Sequence, residues 1–89
     1  MKFNGAIVKV GNNNIALAVV GKNFMSLPLD ERMAQMRYYA ATFEGLPFVV
    51  LIDNEDGTNE YFGRPDLIAQ LKDVPLNYIT FKVYSTKED

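Results

Sequence analysis

Two segments constrain the fold of this chain more than any other feature, because each is apolar on both sides of an extended strand. In IALAVV, residues 15–20, alternate side chains point to opposite sides of a strand, and both sets are aliphatic. The segment FVVLI, residues 48–52, is apolar throughout. Strands of this kind lie in the centre of a sheet or are covered on both faces. The sequence therefore predicts two central strands.

Turn residues place a partner strand next to each of these segments. The stretch GNNN, residues 11–14, separates AIVKV (6–10) from IALAVV, and Asn and Gly tolerate the left-handed backbone of tight hairpins. An Asp-Gly turn in NEDGTN (54–59) joins FVVLI to the return strand EYFG (60–63). The sequence therefore predicts two β-hairpins.

Periodic apolar residues predict two helices and a last strand. A helix over 29–43 is indicated by residues spaced three and four apart, Leu29, Met33, Met36, Ala40 and Phe43. A shorter helix over 65–72 begins at Pro65 and turns Leu67, Ile68 and Leu71 inward. The alternating segment LNYITFKVY (76–84) follows as a strand.

The element order ββαββαβ predicts an α+β fold. We expect one domain over residues 1–86, with a mostly antiparallel sheet of about five strands and two helices packed on one face. The polar residues 87–89 are expected to form a frayed tail.

Composition excludes several functions. Nine basic and eleven acidic side chains give a net charge of -2, which provides no general attraction to nucleic acid or to an anionic membrane. The absence of cysteine and histidine excludes disulfides, thiol nucleophiles, histidine catalysis and the usual zinc ligands. No cofactor is expected, and a metal would need an all-oxygen site. The apolar runs are shorter than the ~20 residues of a membrane span, so we expect a soluble, cytoplasmic protein.

Arg64 stands at the start of the second helix, where a cation is unfavourable and a guanidinium group cannot accept hydrogen bonds from the free amides. An anion nearby would resolve both problems. Asp66 could supply it locally, or a bound carboxylate or phosphate could do so. The local pair needs no ligand and is the favoured interpretation.

The same junction resembles a segment of small uncharacterised bacterial proteins of the cyanobacterial type. The matching positions are Tyr61, Gly63, Arg64, Pro65, Asp66, Val74, Pro75 and Leu76. Phe62 separates the tyrosine from the glycine, where the pattern has the two adjacent. The resemblance covers the last third of the chain and implies a bacterial source and a hairpin-to-helix boundary. It implies no activity and no binding residue.

The acidic segment DNEDGTNE, residues 53–60, has the composition of a calcium loop but not its spacing. Counted from Asp53, Gly57 is fifth instead of sixth, and the twelfth residue is Arg64. A solvated hairpin turn is the favoured interpretation, and acids at a hairpin tip rarely flank the cleft that a glycosidase needs. The sequence contains no catalytic constellation, no phosphate-binding glycine loop and no nucleophile elbow.

One face of the predicted last strand is a candidate interface. Tyr78, Thr80, Lys82 and Tyr84 share that face, and Tyr61 is expected nearby on the return strand. Aromatic and basic strand faces can stack nucleic-acid bases, but the acidic total favours a protein partner, for which tyrosine is typical.

Two hypotheses follow. If both helices share one face, the other face is partly exposed, and an exposed apolar patch commonly marks a partner, most often a second copy. The first hypothesis is a non-enzymatic protein–protein interaction module, with an adaptor or chaperone as a variant, that forms a homodimer through a sheet face or an edge strand. The alternative is a binding module for a small anionic ligand or acidic peptide terminus at Arg64. An enzyme ranks third.

Overall fold

The computed structural model describes residues 1–86, which form five strands and two α-helices. The strands are β1 (Lys2–Val10), β2 (Asn13–Gly21), β3 (Phe48–Asp53), β4 (Asn59–Phe62) and β5 (Lys82–Ser85). The helices are α1 (Leu29–Ala40) and α2 (Pro65–Leu71), and short 3₁₀ helices cover Lys22–Ser26, Ala41–Phe43 and Leu76–Tyr78. The tail predicted over 87–89 lies outside the described residues.

The strands form one sheet in the order β4-β3-β2-β1-β5. Three of the four neighbouring pairs are antiparallel, and β2 and β3 run parallel. The predicted α+β class and the mostly antiparallel sheet are confirmed. Both predicted hairpins are confirmed as β1–β2 and β3–β4, and the two segments apolar on both sides become β2 and β3 near the middle of the sheet.

The parallel pairing of β2 and β3 determines where α1 lies. Two parallel strands cannot be joined by a tight turn, because the chain must return to the end at which the first strand began. The connection from β2 to β3 contains α1, and it passes over one face of the sheet, which we call the α1 face. In register, Ala18 lies beside Val50 on this face, and Leu17 lies beside Val49 on the other.

The opposite face is covered by α2, so we call it the α2 face. On the α1 face, Tyr39, Phe43 and Phe24 cover the strand residues Phe3, Ala16, Ala18, Val50 and Ile52. On the α2 face, Leu67, Leu71 and Ile79 cover Ala6, Val8, Ile15, Leu17 and Val49.

The prediction that both helices pack on one face is therefore wrong. The reason is the strand order: β4 and β5 lie at opposite edges of the sheet. The chain between them has to cross the sheet, and α1 already covers one face. Residues 65–81 consequently cross the other face, and they carry α2 with them.

An aromatic cluster fixes α1 to the sheet and changes the side that the helix buries. The Tyr39 ring lies 4.9 Å from the Phe3 ring between centroids, and Phe43 lies 6.0 Å from Phe3. Two residues of the predicted apolar stripe instead face solvent, since Leu29 is 59% exposed and Met33 is 42% exposed. The helix is rotated toward Tyr39 because the large ring buries more apolar surface there than Leu29 would.

The last strand is shorter than predicted. Only Lys82–Ser85 pairs with β1, while Leu76–Tyr78 forms a 3₁₀ helix after Pro75. Residues 76–81 are needed to cross the α2 face, so they cannot also extend the strand. The second helix matches its prediction, with Leu67 and Leu71 buried and Ile68 packed against them.

The close approach of β1 to its neighbours gives a first prediction. A Cβ on Gly5 would stand 2.6 Å from the Leu17 carbonyl oxygen of the adjacent strand, a distance that backbone atoms do not tolerate. We expect Gly5→Ala to lower the free energy of unfolding by about 1–3 kcal/mol, as overpacking does. Chemical denaturation measures this change.

Gly21→Ala is the matched control. Gly21 has a φ of -80°, and no neighbouring atom would lie within 4 Å of a Cβ added there, so its replacement should be neutral or slightly stabilising. Equal destabilisation by both substitutions would contradict the close packing of β1 against β2.

Candidate functional site

Arg64 and Asp66 form a two-point ion pair at the start of α2. The Arg64 Nη2 lies 2.7 Å from Asp66 Oδ2, and Nε donates to Oδ1 at 3.1 Å. Pro65 holds Arg64 in extended backbone, and the Arg64 carbonyl accepts from the amides of Leu67 and Ile68. The side chain of the N-cap residue, Arg64, makes no capping hydrogen bond. The predicted pairing of Arg64 with Asp66 is thus present.

This pair predicts an altered titration of Asp66. Hydrogen bonds from the Arg64 guanidinium hold the pKa of the Asp66 carboxyl below its usual value. Because the pKa is lower in the folded chain than in the unfolded chain, the pair adds stability above the unfolded pKa. That stability is lost as pH falls through the folded pKa. We expect Arg64→Ala to raise the pH at the midpoint of the Asp66 titration. NMR titration of the Asp66 carboxyl carbon measures this midpoint.

Asp56 provides an internal control in the same spectrum. Its pKa is also lowered, but by hydrogen bonds from Thr58. Its midpoint should therefore stay unchanged in Arg64→Ala. An Asp66 midpoint that does not move would show that the pair is absent in solution.

The acidic hairpin between β3 and β4 uses its oxygens to build the turn. The Asp53 carboxylate accepts from the Glu55 amide at 3.0 Å, and the Asp56 carboxylate accepts from the Thr58 amide at 2.9 Å. Asn54 donates to both Thr58 and Glu60. Among residues 1–86, no three acidic side chains are grouped closely enough to hold a metal ion.

The residues of the predicted interface do not share one surface. Tyr61 lies on β4, at the edge of the sheet opposite to β5. Lys82 and Tyr84 lie together on β5, opposite Gly5 and Phe3 on the α1 face. The Tyr84 ring packs 4.9 Å from Phe43 and 5.9 Å from Phe3, so it is partly buried. Tyr78 and Thr80 precede β5 and are exposed.

Tyr61 contributes to the core more than to a surface. Its ring packs against the cluster under α2, and its hydroxyl is buried without a hydrogen-bond partner in the described part of the chain. Burial raises the pKa of this hydroxyl. A buried hydroxyl that makes no hydrogen bond is a cost to folding.

We expect Tyr61→Phe to leave the free energy of unfolding unchanged or to raise it by up to about 1 kcal/mol, because it removes the unpaired hydroxyl and keeps the ring. Tyr38→Phe is the matched control, since the Tyr38 hydroxyl lies 3.1 Å from Thr86 Oγ1. This control should destabilise the chain in the same denaturation experiment. A clear loss of stability in Tyr61→Phe would mean that its hydroxyl has a partner in solution.

Within residues 1–86, the outer edge of β5 is an unpaired strand edge; the sequence predicted an edge strand as one possible interface but could not identify which strand. In the described residues no strand pairs with it on the outside. The Thr86 amide donates to the Met1 carbonyl at 2.8 Å, and antiparallel pairs alternate between bonded and unbonded. Tyr84 and Lys82 therefore bond to β1, while the backbone groups of Val83 and Ser85 point outward. Only the strand order reveals this edge.

The Val83 side chain on this strand is aliphatic and 64% exposed. In the segment before β5, Tyr78 is 77% exposed and Phe81 is 38% exposed. Strict alternation would place Val83 on the same face as Ile79, which is buried. The irregular segment before Lys82 breaks that alternation.

A second apolar surface lies between α1 and the start of α2. It is a groove of about 410 Å³ whose lining includes Met33, Met36 and Phe62, with Arg64 at its rim. The Arg32 guanidinium stands 5.0 Å from the centre of the Phe62 ring. This groove escaped sequence reasoning, which assigned Met33 to the core.

Comparison with known proteins identifies no family: the chain matches no protein-family model, no curated protein and no solved structure. Neither α1 nor α2, the two α-helices within residues 1–86, is long and apolar enough to cross a membrane.

Proposed function

We propose that this chain is a small, non-enzymatic protein–protein interaction module that forms a homodimer through the outer edge of β5. The expected exposed sheet face no longer supports self-association, because α1 and α2 cover opposite faces. A dimer therefore has to use another surface. The edge of β5 is the best-supported choice.

The outward backbone groups of Val83 and Ser85 carry this proposal. An unpaired strand edge is a template for a further strand, and natural proteins commonly protect such edges with charge, proline or a bulge. At β5 the Val83 side chain is aliphatic and mostly exposed. Lys82 offers some protection, but it lies on the α1 face, away from Val83.

The opposite edge of the sheet is better protected. β4 contains Glu60, and the turn before it carries Glu55 and Asp56, directly after Asp53 at the end of β3. Two copies approaching through this edge would bring acidic groups together, which is unfavourable. This difference between the edges favours β5.

Binding of an anion at Arg64 is less well supported. Two donors of the guanidinium group already bind Asp66, and α2 has only seven residues. Its helix dipole is correspondingly small.

Val83→Lys tests the proposed dimer, because it places a charge at the centre of the edge. We expect the wild-type mass in sedimentation or light scattering to approach twice the 10.1 kDa of one chain as concentration rises. Val83→Lys should remain at the mass of one chain. Asn59→Lys is the matched control on the other edge strand, and it should dimerise as the wild type does.

If the wild type keeps the mass of one chain at protein concentrations up to about 1 mM, the proposal is overturned, because any association is then too weak to matter. Equal dimerisation of Val83→Lys and the wild type would place the interface elsewhere, for example at the groove lined by Met33 and Met36.

A further inference from the structure

We infer that the two copies pair their β5 strands antiparallel about a two-fold axis at Val83, so that Val83 faces Val83 of the second copy. This inference rests on the proposed dimer and specifies its geometry. In this register Lys82 faces Tyr84 of the second copy. The result is one continuous sheet across two chains.

The backbone of β5 permits this register. The Thr86–Met1 hydrogen bond sets the alternation along β5, so the amide and carbonyl of Val83 point away from β1. An axis at Val83 lets the two Val83 residues exchange both of their backbone hydrogen bonds. The pairing then spans Lys82–Tyr84 of each copy, which lie within β5.

The side chains of the two strands are complementary in this register. Val83 lies on the α2 face, so two mostly exposed aliphatic groups cover each other there. On the α1 face, the ammonium group of Lys82 approaches the Tyr84 ring of the second copy. That ring is already held by Phe3 and Phe43, and a cation near an aromatic face is favourable. The two-fold axis repeats this contact.

The neighbouring registers are less favourable. An axis at Lys82 would place two lysines directly opposite each other, and like charges at opposed positions are destabilising. An axis at Tyr84 would oppose Val83 to Ser85, and would set Lys82 against Thr86, which is buried. An axis at Ser85 would leave two serines at the centre in place of two valines.

Single cysteines distinguish these registers, because the chain has none of its own and every disulfide is therefore assignable. With the axis at Val83, the two Cα atoms at position 83 stand about 5.5 Å apart, within the range of a disulfide. The two Cα atoms at position 85 are then separated by four strand positions, or roughly 14 Å, which a disulfide cannot span. We expect Val83→Cys to form a disulfide dimer at least about ten times faster than Ser85→Cys under mild oxidation.

The outcomes separate the register from the dimer itself. Fast linkage at 83 alone supports the inference. Faster linkage at 85, or equal linkage at both positions, overturns the Val83 axis and leaves edge pairing in place. If neither cysteine links while the wild type still dimerises, the register is wrong, and the Val83→Lys experiment decides whether β5 is the interface at all. A wild-type chain that stays monomeric removes both proposals. If the wild-type mass keeps rising beyond that of a dimer as protein concentration increases, the copies pair head to tail, β4 of one with β5 of the next. That result also overturns the two-fold axis.

Discussion

The parallel pairing of β2 and β3 is the constraint on which the rest of the structure depends. Because these strands run in the same direction, α1 has to cross one face of the sheet between them. The β3–β4 hairpin ends at one edge of the sheet, and β5 pairs with β1 at the other edge. The segment that connects β4 to β5 therefore crosses the sheet on the face that α1 does not cover. Two strands that are apolar on both sides thus obtain a cover on each face, and the core consists of two layers of side chains separated by the sheet.

Local patterns were sufficient to predict the elements but not their arrangement. The hairpins follow from GNNN and NEDGTN, and α2 follows from Pro65 and its aliphatic spacing, because these signals act between residues close in the chain. Strand order depends on contacts between distant residues, so the helices on opposite faces and the free edge of β5 could not be foreseen. The rotation of α1 toward Tyr39 has the same cause, since its partner Phe3 is far away in the sequence. At the candidate site, the Arg64–Asp66 pair was predictable because both residues lie within one helical turn.

Covering both sheet faces moves the question of function from the faces to the edges. A chain of this size buries its central strands with two short helices, and it has no further element for the edge beyond β5 in the described residues. The acidic turn next to β4 protects one edge, whereas Val83 leaves the other open to a strand. Self-association would complete the sheet without any change in the fold of either copy. The groove lined by Met33 and Met36 is remote from this edge in the strand order and would stay accessible in such a dimer.

Hydrogen exchange of individual backbone amides as a function of protein concentration tests the edge pairing most directly. The amides of Val83 and Ser85 point outward from β5. Those of Asn59 and Tyr61 point outward from β4, because Asn54 bonds to Thr58 in the adjoining pair. Edge pairing predicts that exchange at Val83 and Ser85 slows as concentration rises, while exchange at Asn59 and Tyr61 stays fast. Exchange at Val83 and Ser85 that remains fast and independent of concentration would contradict it.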